Sequence, residues 1–264
     1  MTPDFLRVPL GKIGTPVCRI GLSATYRPGR ETVFKALDEG LNYFLYFGFD
    51  RHMTSVLRET IPPRREQYVL ATGAYNLIWG HQNLRRTLER RLRQLRTDYI
   101  DVFHFLGVKR RAHFTPRVRE ELQAVRESGL VRAVSISTHD RKFAAELACE
   151  GVLDAMMIRY NAASTGAEAE IFPHLPDTNP AVVAFTATRW TSLLRPPRGY
   201  SKAGRLPSAG MCYRFVLSNP AVHVCMMAPG NVKQFEENLA EIRQGPLCGE
   251  DMRFMRGFGG LVSA

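Results

Sequence analysis

No apolar run in the 264-residue chain reaches the roughly 18 residues that a membrane-spanning helix needs, so no membrane contact is expected. The opening MTPDFLRVPL lacks the charged-then-apolar order of a secretion signal, and a cytoplasmic protein is the expectation. Cysteine is sparse: Cys18, Cys149, Cys212, Cys225 and Cys248 stand far apart, with no CxxC pair and no Cys/His cluster. That spacing offers neither a zinc site nor a disulfide framework, and no metal is expected. A Gly-rich phosphate turn is also missing after the first apolar run, since GLSATYRPGR does not fit G-x-G-x-x-G. A doubly wound dinucleotide fold is disfavoured on that ground.

Arginine, by contrast, is plentiful. The chain carries 36 basic and 25 acidic residues, a net charge of +11. Such an excess raises the question of a polyanionic partner. In the densest stretch, NLRRTLERRLRQLR, Leu84, Leu88, Leu92 and Leu95 form one helical stripe and the arginines fill the rest. The stretch reads as a solvated helix face. No nucleic-acid-binding motif accompanies it, and no nucleic-acid partner is expected.

At 45% hydrophobic residues the chain can bury a sizeable core. Short apolar runs alternate with amphipathic stretches throughout. The strand candidates are CRIGLS, NYFLY, YVLAT, YIDVFHF, VRAVSIS, DAMMIRY, AVVAF and AVHVCMM. Helical patterns fall near 31–39, 52–59, 82–96, 116–128, 140–149, 166–173, 209–217 and 231–242. Near-continuous apolar strands separated by helices predict a buried parallel sheet. Eight units in one chain predict an α/β fold, a (β/α)8 TIM barrel, as a single domain over 1–264. Two segments lie outside the eight units. LRVPLGKIGTPV reads as an N-terminal hairpin below the barrel, and CGEDMRFMRGFG as an extra C-terminal helix stopped by glycine. The stretch TSLLRPPRGYSKAGRLPSAG, after the seventh strand, reads either as a lid or substrate loop or as a disordered tether.

Several of these segments resemble the aldo-keto reductases. LGKIGTPVCRIGL is similar to that family's opening hairpin and first strand, and ALDEGLNYF to its second strand. TLERRLRQLRTDYIDVFHF resembles the helix and strand that lead to its catalytic His, and GLVRAVSIST its fifth strand. RYNAAS resembles the sixth-strand Tyr-Asn, VVAFTATRW occupies the place of the seventh strand, and LSNPAVHVCMMAPGNVKQFEENLA is similar to the last strand and cofactor helix. Order and spacing agree from about residue 6 to 245. The resemblance implies the barrel and the reduction of carbonyls with NADPH. In that reaction a Tyr gives the proton, a Lys and an Asp lower its pKa, and a His orients the substrate.

Every one of those four positions is replaced in this chain. The Asp position falls on Leu45, the Tyr position on Asp50, the Lys position on Gly73 and the His position on Leu106. The cofactor positions are mixed. Ser137 is kept, with Thr138 in place of the usual Asn beside it. The sixth-strand Gln position is Met157, and the stacking aromatic is Phe185. Glu237 and Asn238 match the adenine-binding end. The phosphate segment APGNVK keeps Lys233 but not the Ser/Arg pattern. The resemblance therefore leaves NADPH binding open, with Glu237 and Asn238 as plain helix surface the alternative.

Strand alternation suggests what replaces the lost groups, because every second side chain faces inward. His104 shares parity with Leu106, Tyr75 with Gly73, and Arg159 and Asn161 with Met157. His104, Tyr75, Asp50, Arg159 and Asn161 are thus the candidate catalytic set: His for proton transfer, Tyr for hydrogen bonding, Arg for an anionic group. Each has a plainer alternative. His104 reads equally as a hydrogen-bonded core histidine and Tyr75 as packing under a loop. Arg159 requires an anion, either Asp50 or a substrate carboxylate. Asn161 reads equally as orienting backbone. Arg189 and Trp190 could wall the pocket or lie at the surface. His139 and Asp140 read as a helix cap pair.

Three functions follow. The first is an enzyme acting on a small polar or acidic metabolite by non-classical chemistry of the lyase, dehydratase, isomerase or cyclase type. The second is an NADPH-dependent oxidoreductase with a re-sited proton donor. The third is a non-catalytic binding or regulatory protein on a dead reductase scaffold, with its basic charge meeting an acidic partner. The oligomeric state is not legible.

Overall fold

Asp101 and Asp154 explain how the floor of the molecule is held. Each sits at the start of a strand, nearly buried, where an unpaired carboxylate would be costly. Asp101 accepts from Arg65 at 2.6 Å, from the Leu70 amide at 2.9 Å and from Arg132 at 3.3 Å. Asp154 accepts from Arg126 at 2.8 Å and from the Val134 amide at 3.0 Å, and pairs with Lys12 at 3.3 Å. Burial raises the Asp101 carboxyl above its ordinary value even against these cations.

The computed structural model describes residues 4–263 other than 79 and 202. A hairpin of β1 (Arg7–Pro9) and β2 (Pro16–Cys18) comes first. β3 (Ile20–Ser23), α1 (Arg30–Asp38), β4 (Tyr43–Leu45) and α2 (Arg51–Thr60) follow. Next are β5 (Val69–Leu77), the short β6 (Gly80–His81) and α3 (Leu84–Leu95). Then come β7 (Ile100–Val108), α4 (Pro116–Glu127), β8 (Val131–Thr138) and α5 (Arg141–Glu150). β9 (Ala155–Arg159), α6 (Ala167–Glu170), β10 (Ala181–Phe185) and α7 (Ala209–Leu217) continue the alternation. β11 (Val224–Met227), α8 (Val232–Ile242) and α9 (Gly249–Ser263) end it.

Strands β3, β4, β5, β7, β8, β9, β10 and β11 pair in parallel in that order, and β11 returns to β3. The result is a closed (β/α)8 TIM barrel with an N-terminal hairpin and a C-terminal helix. Short polar side chains start its helices: Asp50, Asn83, Thr115, Asp140, Ser208 and Asn231 each accept from an amide of the first turn. The hairpin is fastened below the barrel by the Lys12 amide, which donates to the Asn179 carbonyl at 2.8 Å. Gly11 makes that approach possible, since a Cβ there would stand 2.6 Å from the Ala181 nitrogen.

One expectation needs correction. α9 is not stopped by its glycines; it runs through Gly257, Gly259 and Gly260 to Ser263, because Gly259 lies against the Ala162 carbonyl where a side chain would collide. The loop after β10 is fastened to α9. Arg205 pairs with Asp251 at 2.6 Å and lies over the Phe254 ring, and the Tyr200 ring meets Phe258 edge-on at 5.2 Å. Among the described residues, no helix is long and apolar enough to cross a membrane, and no cluster of His, Cys, Asp and Glu could hold a metal.

Candidate active site

The C-terminal ends of the strands surround a cavity of about 300 Å³. Ser23, Leu45, Tyr75, Leu106, Ser137, Met157, Phe185 and Met226 bring one side chain from each of the eight parallel strands. Phe47 and Trp190 add aromatic walls. None of the lining side chains is charged. A second cavity of about 510 Å³ shares Tyr26, Thr188, Trp190, Tyr213 and Ala228 with the first, so the two adjoin. It leads from the barrel mouth to the first turns of α8, where Gln234, Glu237 and Asn238 line it.

Leu45 and Leu106 face the first cavity, so two of the replaced positions are apolar wall. Residue 73 is different. It sits opposite His104 across β5 and β7, and a Cβ would stand 2.2 Å from the His104 carbonyl oxygen. No side chain fits there without a backbone shift.

The proposed catalytic set is not brought together. His104 has the inward parity but lies a layer below the cavity, fully buried. Its Nδ1 meets Ser135 Oγ at 2.9 Å and its Nε2 has no partner. Burial alone lowers its pKa to about 3, which keeps the ring neutral. Asp50 leaves the mouth because it starts α2: its Oδ1 accepts from His52 at 2.8 Å and Met53 at 3.2 Å. Arg159 ends β9, where the ladder no longer fixes side-chain direction. It lies in a small crevice with Thr138, His139 and Asp140, apart from the main cavity and from Asp50. Asn161 is fully buried and holds backbone, with Nδ2 donating to Thr186 O at 2.8 Å and Oδ1 accepting from Ala163 at 3.0 Å.

Tyr75 does line the cavity, half-buried beside the Phe47 ring at 6.1 Å. Its hydroxyl has no hydrogen-bond partner among the described residues. Burial raises its pKa, against the field of Arg91, which lowers it. Ser137 and Phe185 line the same cavity, Phe185 edge-on to His139 at 5.5 Å. Burial, followed by Arg159 and Lys109, lowers the His139 pKa, while Asp140 caps α5. Lys233 stands in solvent, 3.9 Å from Glu237, outside the cleft lining. Arg189 donates to the Val262 carbonyl, whereas Trp190 walls both cavities.

Ser23, Thr25, Tyr26, Tyr213 and the stretch Thr186–Thr188 escaped the sequence reading. Ser23 ends β3 and Thr25 and Tyr26 follow it, at the face where barrel sites form, so that rule alone would have found them. Thr186, Arg189, Trp190 and Thr191 also share left-handed backbone, with φ of 59°, 49°, 51° and 69°. Such strain in non-glycine residues gathers at functional loops and has no signature in sequence.

The Aldo/keto reductase family model matches residues 32–196. The chain belongs to this family. Its fold is similar to that of the aldo-keto reductase AKR11C1 from Bacillus halodurans in the holo form, at TM-score 0.76 and 18% identity, covering 96% of this chain and 95% of that one. It is also similar to PA4992 of Pseudomonas aeruginosa, assigned to the aldo-keto reductases, at TM-score 0.70 and 19% identity, with coverage of 91% and 96%. No curated protein sequence matches it significantly.

Proposed function

We propose that this member of the family is a nicotinamide-dependent oxidoreductase for a small, largely apolar carbonyl compound, with Tyr75 as its re-sited proton donor. The observation that carries the reading is that the two cavities adjoin along Tyr26, Thr188, Trp190, Tyr213 and Ala228. A dinucleotide needs a long slot that ends at the reacting atoms, and the cleft runs from Phe185 at the mouth to Asn238 on α8. Ser137 and Asn238 along it are the groups that would hold that cofactor, beside the carboxylates of Glu237 and Glu241. The Ser137 hydroxyl has no partner among the described residues, and the Asn238 amide spends itself only on the Met227 sulfur at 3.7 Å. When bound, reduced nicotinamide supplies the hydrogen and electron pair of a carbonyl reduction.

The walls favour an apolar or aromatic substrate, because Phe47, Phe185 and Trp190 offer ring surface and no lining charge is present to meet an acid. Lyase, dehydratase, isomerase or cyclase chemistry on an acidic metabolite finds less support. Its acid–base groups, His104, Asp50 and Arg159, lie off the cavity. Tyr75 is half-buried in the cavity wall and its hydroxyl is free to meet a carbonyl oxygen.

Titration with NADPH and NADH, followed through protein fluorescence, tests the reading. Trp190 is the reporter in the cleft; Trp79 lies outside the described residues. Saturable quenching together with turnover of an aromatic aldehyde, lost on Tyr75→Phe with binding retained, is the expected result. No binding at millimolar cofactor would sink it. Binding without turnover of any carbonyl panel would leave the non-catalytic scaffold reading instead.

A further inference from the structure

Among the described residues four arginines are buried: Arg19, Arg65, Arg91 and Arg214. Three are well answered. Arg65 meets the Asp101 carboxylate at 2.6 Å. Arg19 donates from its Nη atoms to the carbonyls of Phe5, Asn219 and Val222, although its Nε, like that of Arg91, is buried without a partner, and Arg214 donates to Gly245, Pro246 and Gln244. Arg91, on the inner side of α3, is the exception. Its Nη1 donates to the neutral Gln94 Oε1 at 2.9 Å, its Nε is buried without a partner, and no carboxylate pairs with it among the described residues. The Tyr46 ring lies 5.8 Å from its guanidinium. A cation this poorly answered is costly to bury, and neighbouring Arg90 adds repulsion.

Its location gives the cation a use. The guanidinium packs against Gly48, where any side chain would overlap it. Gly48 directly follows Phe47, whose ring touches that of Tyr75. Arg91 therefore stands behind the cavity wall that holds the free phenol. We propose that Arg91 is a positioning residue for the reaction, a fixed cation that stabilises the tyrosinate left when Tyr75 gives its proton to substrate. The proposal rests on Tyr75 being the proton donor. In that step the carbonyl carbon takes a hydrogen with its electron pair from reduced nicotinamide. The carbonyl oxygen takes the phenol proton, and Tyr75 holds one negative charge until water reprotonates it.

The other titratable groups around Tyr75 leave this role to Arg91. Behind β4, Tyr46 turns its hydroxyl to Gln94, and Asp50 caps α2 through Oδ1 while its Oδ2 is buried without a partner. On β7, His104 is buried and neutral. On β6, His81 pairs with Glu121 at 2.9 Å. Across the cavity stand the phenols Tyr26 and Tyr213. Among the described residues, the charge that lowers the Tyr75 pKa against the effect of burial is that of Arg91.

The experiment is a tyrosine titration by ultraviolet difference spectroscopy on the whole protein, with Tyr75→Phe subtracted to isolate one phenol. Arg91→Met should raise the Tyr75 midpoint by about one pH unit or more, and Arg91→Lys should restore part of the shift. Arg91→Gln keeps the polar contacts and serves if the Met variant fails to fold. With an aldehyde that the protein reduces, Arg91→Met should lower kcat about tenfold with KM changed less than threefold, and move the pH profile of kcat to higher pH. An unmoved Tyr75 midpoint in folded Arg91→Met and Arg91→Gln would overturn the role of Arg91, whatever the activity. Full activity in Tyr75→Phe would instead overturn the donor assignment beneath it, a result the titration does not imitate.

Discussion

A lysine cannot be put back at residue 73 by mutation alone. The strand pairs Gly73 with His104, and a Cβ would press on the His104 carbonyl. The missing charge is thus built into the backbone course of β5 and β7. Gly73→Ala should destabilise the protein by about 1–3 kcal/mol in urea unfolding, the usual cost of overpacking. Gly73→Lys should cost more and bring no gain in turnover. Asp50 makes the opposite point: it is a titratable group whose work is structural. Asp50→Ala should cost about 1 kcal/mol, as expected for a lost N-cap, and leave cofactor titration unchanged. A tenfold loss of cofactor affinity in that variant would return Asp50 to the site.

At the scale of elements, the barrel was legible because each strand is a short apolar run and six of the described helices begin at Asp, Asn, Ser or Thr. AVVAF, residues 181–185, coincides with β10, and the segment 209–217 with α7. The inward parity of Leu106, Tyr75 and Met157 was also legible, since all three reach the cavity. What alternation could not give was depth and the fate of strand ends. His104 has the right parity one layer too low, and Arg159 leaves the ladder at its last residue. Nor could composition say that the Pro/Gly/Arg-rich loop is fastened to α9, because that depends on Arg205 and Tyr200 finding Asp251, Phe254 and Phe258 across 40 or more residues. Arg205→Ala should raise amide exchange in residues 195–207 and at the start of α9 while leaving the barrel strands protected, as read by hydrogen–deuterium exchange. On α8, the charged groups that face the cleft are carboxylates, whereas Lys233 stands in solvent. Lys233→Ala should therefore change NADPH affinity less than threefold, and NADH should bind at least as well as NADPH. A Lys233→Ala loss confined to NADPH would show instead that this lysine reaches the extra phosphate.

For the whole molecule, the buried neutral His104 ties stability to pH. Its folded pKa of about 3 lies below the ordinary 6.5, so below pH 6.5 the unfolded chain takes up a proton that the folded chain refuses. Stability is then lost as pH falls from 6.5 toward 3, at about 1.4 kcal/mol per unit, or about 2 kcal/mol by pH 5. His223, lowered by burial and by Arg19 to about 4, acts in the same direction. A second source of acid sensitivity is the net charge of +11, which grows as carboxylates protonate and makes the folded chain repel itself. Salt separates the two, because surface repulsion is screened within about a Debye length while a buried imidazole is not. Urea unfolding at pH 7 and pH 5 in high salt should keep most of the histidine loss in the parent protein, to which His223 adds its share and His104 contributes about 2 kcal/mol. In His104→Gln, which keeps a polar group toward Ser135 but cannot take up that proton, the loss should shrink by that amount even though the variant is less stable at both pH values. An equal slope in the two proteins would mean that the ring at position 104 takes up its proton in the folded state, and that the barrel interior there is open to water.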